Sequence, residues 1–254
     1  MRNNLKKALI FSLCMTVLTG CGGGSGDSEA SPAETSLCVT PLRVLGGASC
    51  SNLPSPVVGI SIQYDNGTSG LCSGSVISST SVLTAAHCFL AAATSSVDIY
   101  NSKETISGTT ITLHPGVAVT ITGEVRNDLA IVTLSKPFSD IVPLRVTSAS
   151  PRVGTELLVY GYGLDDNGNS GTLRAGRLTT SGNNSFFITA NAKAGINPCN
   201  GDSGGPALMA SNGGYVITGV LSAGSTKACS EGDINFYTRL DSTSTRNFIN
   251  QHKS

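Results

Sequence analysis

An all-β protein is predicted by three features of this 254-residue sequence: 30 glycines, a charged fraction of only 13%, and many short apolar runs separated by turn residues. The Ser, Thr and Asn residues frequent between those runs favour strands over helices. Apolar or alternating segments fall at 57–64, 81–86, 109–114, 129–134, 156–160, 186–190, 215–221 and 235–240. Asn66-Gly67, just after the first, reads as a hairpin turn. The sequon it overlaps, Asn66-Gly67-Thr68, is read as incidental. A helix is predicted only at 241–250, with Asp241 or Ser242 as its cap.

The N-terminus is read as a targeting segment. Arg2, Lys6 and Lys7 precede an apolar stretch at 8–18 that is too short to span a bilayer as a stable helix, which is the pattern of a secretion signal. Its end, Leu18-Thr19-Gly20-Cys21, resembles the bacterial lipoprotein cleavage box, in which Cys21 would be lipidated and become the mature N-terminus. Residues 1–20 would then be signal peptide, and 22–37 a Gly/Ser-rich tether. The expected location is the bacterial cell envelope, with Gly22 in place of an aspartate pointing to the outer membrane. Acyl chains would hold the protein there, each buried methylene contributing about 0.8 kcal/mol. Losing Arg2, Lys6 and Lys7 from a chain with 16 basic and 16 acidic side chains leaves a small acidic excess. Nothing in that balance implies a nucleic-acid partner.

The chemistry is concentrated in Gly201-Asp202-Ser203-Gly204-Gly205-Pro206, a serine on a glycine-flanked turn that can aim backbone N–H groups at an oxyanion. A serine hydroxyl needs a base to become nucleophilic. Of three histidines, His114 precedes Pro115 in a loop-like stretch and His252 lies near the C-terminus; both are read as surface residues. His87, in Leu83-Thr84-Ala85-Ala86-His87-Cys88, remains as the base. Asp128, heading the apolar run of Asp128-Leu129-Ala130, is the candidate carboxylate to orient it.

With these residues in the order His, Asp, Ser, the chain from Val44 to its C-terminus resembles the trypsin/chymotrypsin-like serine peptidases. The resemblance implies two packed antiparallel β-barrels at about 44–140 and 141–240, a C-terminal helix at about 242–252, and an active site in the cleft between barrels. It implies an endopeptidase acting on protein or peptide substrates through His87, Asp128 and Ser203. The N–H groups of Gly201 and Ser203 would form the oxyanion hole, and Ser222 would support Asp128. Asn197, Ser222, Gly224 and Asn235 would belong to the substrate pocket. Because Asn197 and Asn235 carry no charge, uncharged small-to-medium or polar residues are expected before the cleaved bond, rather than Arg or Lys.

Arg43-Val44-Leu45-Gly46-Gly47 resembles the activation site of the family's zymogens. Cleavage after Arg43 by a separate protease would free a Val44 amine to insert beside Asp202. Of eight cysteines, Cys14 goes with the signal and Cys21 with the lipid. The remaining six allow fifteen pairings; the family pattern implies Cys72–Cys88 and Cys199–Cys229, leaving Cys38 for Cys50. No cofactor, zinc or calcium is expected. Tyr162 and Ala223 stand where tryptophan is usual in the family, and this chain has no tryptophan. The alternative to an endopeptidase is a catalytically idle lipoprotein that uses the same fold for binding or adhesion.

Overall fold

A computed structural model describes residues 55–192, 196–212, 214–226, 229–230 and 232–253. Cys21, Cys38, Arg43, Val44 and Cys50 lie outside the described residues. The predicted architecture is observed: two closed antiparallel barrels and one C-terminal helix.

The first barrel uses β1 (Val57–Tyr64), β2 (Ser69–Val76), β3 (Ser81–Thr84), β4 (Thr94–Tyr100), β5 (Thr105–Leu113) and β8 (Ala130–Leu134). They close in the order β1, β2, β3, β8, β5, β4. Between β5 and β8 a small hairpin of β6 (Ala118–Val119) and β7 (Val125–Arg126) projects outward. In the second barrel, β10 (Glu156–Gly161), β11 (Arg174–Asn183) and β12 (Phe187–Asn191) are followed by β13 (Pro206–Ser211), β14 (Gly214–Gly224) and β15 (Ile234–Arg239). Pairing of β13 with β14 closes the ring, and β9 (Arg145–Val146) adds to β14 in parallel.

Alternation, or an unbroken apolar run as in β3, β8 and β10, explains the strands that the sequence announces. In β1, Val58, Ile60 and Ile62 enter the first core, and the Asn66-Gly67 turn returns the chain into β2 with Gly67 at φ +81°. The unannounced strands are β2, β4, β11 and β13, with the two-residue β6, β7 and β9. Ser69-Gly70-Leu71-Cys72-Ser73-Gly74-Ser75 shows no apolar period, yet β2 is held on one side by β1 and on the other by β3. Its small residues are needed there: a Cβ on Gly74 would lie 2.7 Å from Val82 Cγ1.

The run predicted at 81–86 ends as a strand at Thr84 and continues as a short 3₁₀ turn, Ala86–Phe89, which carries His87. One hydrophobic cluster runs from the first barrel through Tyr160 and Tyr162 to Val220 and Phe248, joining both barrels to the helix; a second fills the other barrel around Leu178 and Tyr237. The helix α1 spans Thr243–His252, and the Ser242 side chain accepts a hydrogen bond from Thr245 N–H at its start.

The reading of His114 as a surface residue is corrected. It is 1% exposed and packs edge-on against Phe248 of α1, with ring centroids 5.0 Å apart. The neighbouring Pro115 mimics a loop signal, but helix docking covers the imidazole.

Candidate active site

His87 and Asp128 meet because the 3₁₀ turn after β3 faces the loop entering β8. Asn127, at φ +47°, turns the chain immediately before Asp128 and donates its amide to Gly116 O; asparagine tolerates this left-handed conformation better than most residues. Asp128 is fully buried. Its Oδ1 accepts the His87 backbone N–H at 2.8 Å, and its Oδ2 lies 2.7 Å from His87 Nδ1 and accepts Ser222 Oγ at 2.6 Å. A carboxylate only accepts, so the proton in the ring contact belongs to Nδ1 and Nε2 is left as the open lone pair. Three directed bonds thus fix the carboxylate and the tautomer of the imidazole together.

Ser203 occupies the loop that leads into β13. This turn requires glycine: Gly204 has φ +83°, and a Cβ there would fall 2.1 Å from Thr84 Oγ1 and 2.3 Å from Ser73 O. Gly201, at φ +97°, is equally closed to side chains, with Gly163 Cα 2.8 Å from where its Cβ would be. The N–H groups of Asp202, Gly204 and Gly205 donate to the carbonyls of Cys199, Leu221 and Asp202. Those of Gly201 and Ser203 have no acceptor among the described residues. Two neighbouring donors without partners, beside a serine on a locked turn, form a site for an oxyanion.

The sequence carried no signal for Ser73. This fully buried residue of β2 gives its N–H to Ser203 O at 2.7 Å; its Oγ donates to Gly201 O at 2.8 Å and accepts Tyr162 N–H at 2.9 Å. The first barrel thereby braces the Ser203 loop of the second. Cys88, next to His87, is bonded to Cys72, the residue before Ser73, and Cys199 is bonded to Cys229 beside the pocket.

Two cavities lie at the site, one lined by Ser203 and the other by His87. One, of about 220 Å³, is lined by Ser203, Ser222, Gly224, Asn235 and the Cys199–Cys229 pair. The other, of about 460 Å³, is lined by His87, Glu124, Ala223, Phe187 and Phe236. Ser222, Ala223 and Gly224 line both cavities. A hydrogen bond from Ser203 Oγ to His87 is absent among the described residues; such bonds tighten when substrate arrives. Ala223, lacking the bulk usual at its position, leaves the larger cavity open to Phe236.

Asn197 lies behind Asn235 at 2% exposure and accepts the Asn235 amide at 2.8 Å. Asp233, a residue not singled out by sequence, sits behind both. Burial pushes its carboxyl up, but bonds from Ser225 Oγ, Asn197 Nδ2 and Thr226 N–H outweigh this and hold it below the ordinary range. Asp202 shows the opposite balance. Its complete burial raises its carboxyl to about 6 even though the N–H groups of Cys199 and Gly163 donate to it and Arg174 is near. Arg174 itself is paired with Asp165 at 2.7 Å.

Comparison with known proteins places this geometry. The Trypsin family profile matches residues 44–248. The chain belongs to the trypsin family. Among its trypsin-family relatives, Trypsin I-P38 of Gallus gallus is 30% identical over 70% of this chain and 79% of its own length. Brachyurin of Leptuca pugilator is 30% identical over 66% and 82%, and chymotrypsin-C of Bos taurus 29% identical over 67% and 74%. The solved structure of HL collagenase shares the fold, with a TM-score of 0.70 at 22% identity, covering 82% of this chain and 97% of that one.

Proposed function

We propose that this protein is a serine endopeptidase in which Ser203 is the nucleophile, His87 the base and Asp128 the group that orients it. His87 Nε2 takes the Ser203 proton as Oγ attacks a peptide carbonyl carbon, and the negative charge on the carbonyl oxygen is met by the N–H groups of Gly201 and Ser203. His87 then gives the proton to the amine nitrogen as the C–N bond breaks, and water hydrolyses the acyl-enzyme by the same route in reverse. The observation that carries this reading is the pair of N–H groups, of Gly201 and Ser203, without an acceptor among the described residues, in a chain that also holds the His87–Asp128–Ser222 hydrogen bonds. Removal of one such donor typically costs about 2.7–4 kcal/mol of transition-state stabilisation.

We infer that the chain is made as a zymogen cut after Arg43 by another, trypsin-like protease. Asp202 supports this: a buried carboxyl pushed up to about 6 would be relieved by a cation, and no ion pair reaches it among the described residues. The freed Val44 amine is the group proposed to arrive. The sequence around Cys21 supports export and lipid anchoring in a bacterial envelope, with proteins or peptides near the membrane as substrates.

The test is covalent labelling of Ser203 with a fluorophosphonate, before and after treatment with immobilised trypsin. Labelling is expected only after treatment, and never in Ser203→Ala. Asp128→Asn should keep the fold and lose about 10⁴ in kcat, a magnitude carried over from the family's studied triad. A folded, cleaved protein that resists the reagent would instead favour an idle binding protein.

A further inference from the structure

Behind the 220 Å³ cavity, four polar groups form a relay whose direction is dictated by chemistry. Ser230 O and the Asp233 carboxylate can only accept, so Asn197 must turn its NH₂ toward them, at 3.1 and 3.2 Å. Its Oδ1 then faces Asn235, which must present its own NH₂, at 2.8 Å. That leaves Asn235 Oδ1 at the end of the relay. Asn235 is fully buried and lines the cavity, and its Oδ1 is a buried acceptor without a hydrogen-bond partner among the described residues.

An unpaired buried acceptor is costly, and a site built around one discriminates strongly against ligands that cannot donate to it. The Asp233 carboxylate cannot take a substrate cation directly: Asn235, not Asp233, lines the cavity, and the Asp233 oxygens already receive Ser225 Oγ, Thr226 N–H and Asn197 Nδ2. Its charge acts through the relay, drawing the Asn197 and Asn235 amides into alignment and making Asn235 Oδ1 a better acceptor. A cation in the cavity would give up its hydration for one neutral carbonyl oxygen, whereas a primary amide gives up less and supplies the same donor.

We propose that Asn235 Oδ1 is the specificity-determining acceptor of the primary pocket and selects substrates with a neutral donor side chain, glutamine or asparagine, before the cleaved bond. The proposal rests on the endopeptidase reading and narrows its substrate class.

Trypsin-treated full-length protein, freed of the immobilised trypsin, is assayed on peptides differing only at that residue: Gln, Asn, Met, Glu, Leu and Lys. Gln or Asn is expected to exceed Met and Glu in kcat/KM by at least about tenfold. Met matches Gln in length without the donor, and Glu replaces the donor by a charged acceptor. Asn235→Ala should bring Gln and Met within about threefold of each other, with fluorophosphonate labelling rate reporting that the triad is intact. Preference for Met, Leu, Glu or Lys in the wild type overturns the proposal and leaves the endopeptidase reading standing. Binding of the same peptides to trypsin-treated Ser203→Ala, followed by fluorescence anisotropy, reads the pocket without catalysis. Gln selectivity there, with no labelling of the wild type, would sink the endopeptidase reading while supporting the pocket assignment; equal affinity for Gln and Met overturns the pocket assignment.

Discussion

Asp202 is the residue at which stability and the proposed activation meet. Its carboxyl ionises at about 6 in the folded chain against an ordinary 3.8, because burial outweighs the two N–H groups and Arg174. As pH rises from about 4 to above 6 the unfolded chain loses this proton first, so the folded state pays an increasing ionisation cost, on the order of 3 kcal/mol when complete. Uncut protein should therefore lose stability relative to Asp202→Asn across that range. The comparison with the variant is needed because His114 contributes with the opposite sign in part of the same interval. After cleavage at Arg43, an inserted Val44 amine would hold the carboxylate charged and abolish the decline. Denaturant unfolding of both forms from pH 4 to 7 measures it; a decline that persists in the cut, labelled enzyme would exclude the Asp202–Val44 pair.

At the scale of elements, the helix α1 is tied to the first barrel by a histidine that must stay neutral. Gly116 N–H donates to His114 Nδ1 at 3.0 Å, so that nitrogen carries no proton, and Nε2, 3.2 Å from Ser244 Oγ, is the donor. Protonating Nδ1 would break the first bond inside the contact with Phe248. Burial lowers the His114 pKa from 6.5, with the hydrogen bond to Ser244 opposing the shift only in part. The stabilisation is complete above the unfolded value and is lost as pH falls from about 6.5 through the folded one. Amide hydrogen exchange within Thr243–His252 should therefore accelerate, after correction for intrinsic rates, between pH 7 and 5, more than in β12 or β15. His114→Gln should flatten that dependence. The cap made α1 readable, since Ser242 and the turn after it are local; the role of His114 was not, because Ser244 is 130 residues away.

For the molecule as a whole, the expected order of segments makes activation and anchoring depend on one bond. The proposed Arg43–Val44 cut would fall between Cys38 and Cys50, so a disulfide joining them would keep a lipidated Cys21 segment attached to the active domain. A closed loop of about 15 residues contributes roughly 3 kcal/mol in the chain-entropy model. The tether of residues 22–37, as a flexible coil, would reach about 20–24 Å from the membrane. Activating the lipidated protein on membranes and then sedimenting it should leave the activity in the pellet until reductant is added. Soluble activity without reductant would mean that activation sheds the enzyme.

Much of this protein was open to inspection before any fold was known, for reasons that act over short distances. The Ser203 turn announces itself because Gly201 and Gly204 need positive φ within four residues of each other, and β1, β3 and β8 of the first core announce themselves by alternation or an unbroken apolar run. The order of His87, Asp128 and Ser203 is likewise a property of the chain. Tertiary structure decided everything whose cause lies far along it. Ser73 is an unremarked serine until β2 brings it to Gly201, 128 residues on. Strands β2 and β11 exist because neighbours on both sides use their backbone hydrogen bonds, whatever their side chains prefer. Asp233 reads as a loop acid, and becomes the buried end of the Asn197–Asn235 relay only when Ser225 and Thr226 fold back over it. Apolar burial follows local pattern, but a polar side chain is buried only where distant donors and acceptors complete it.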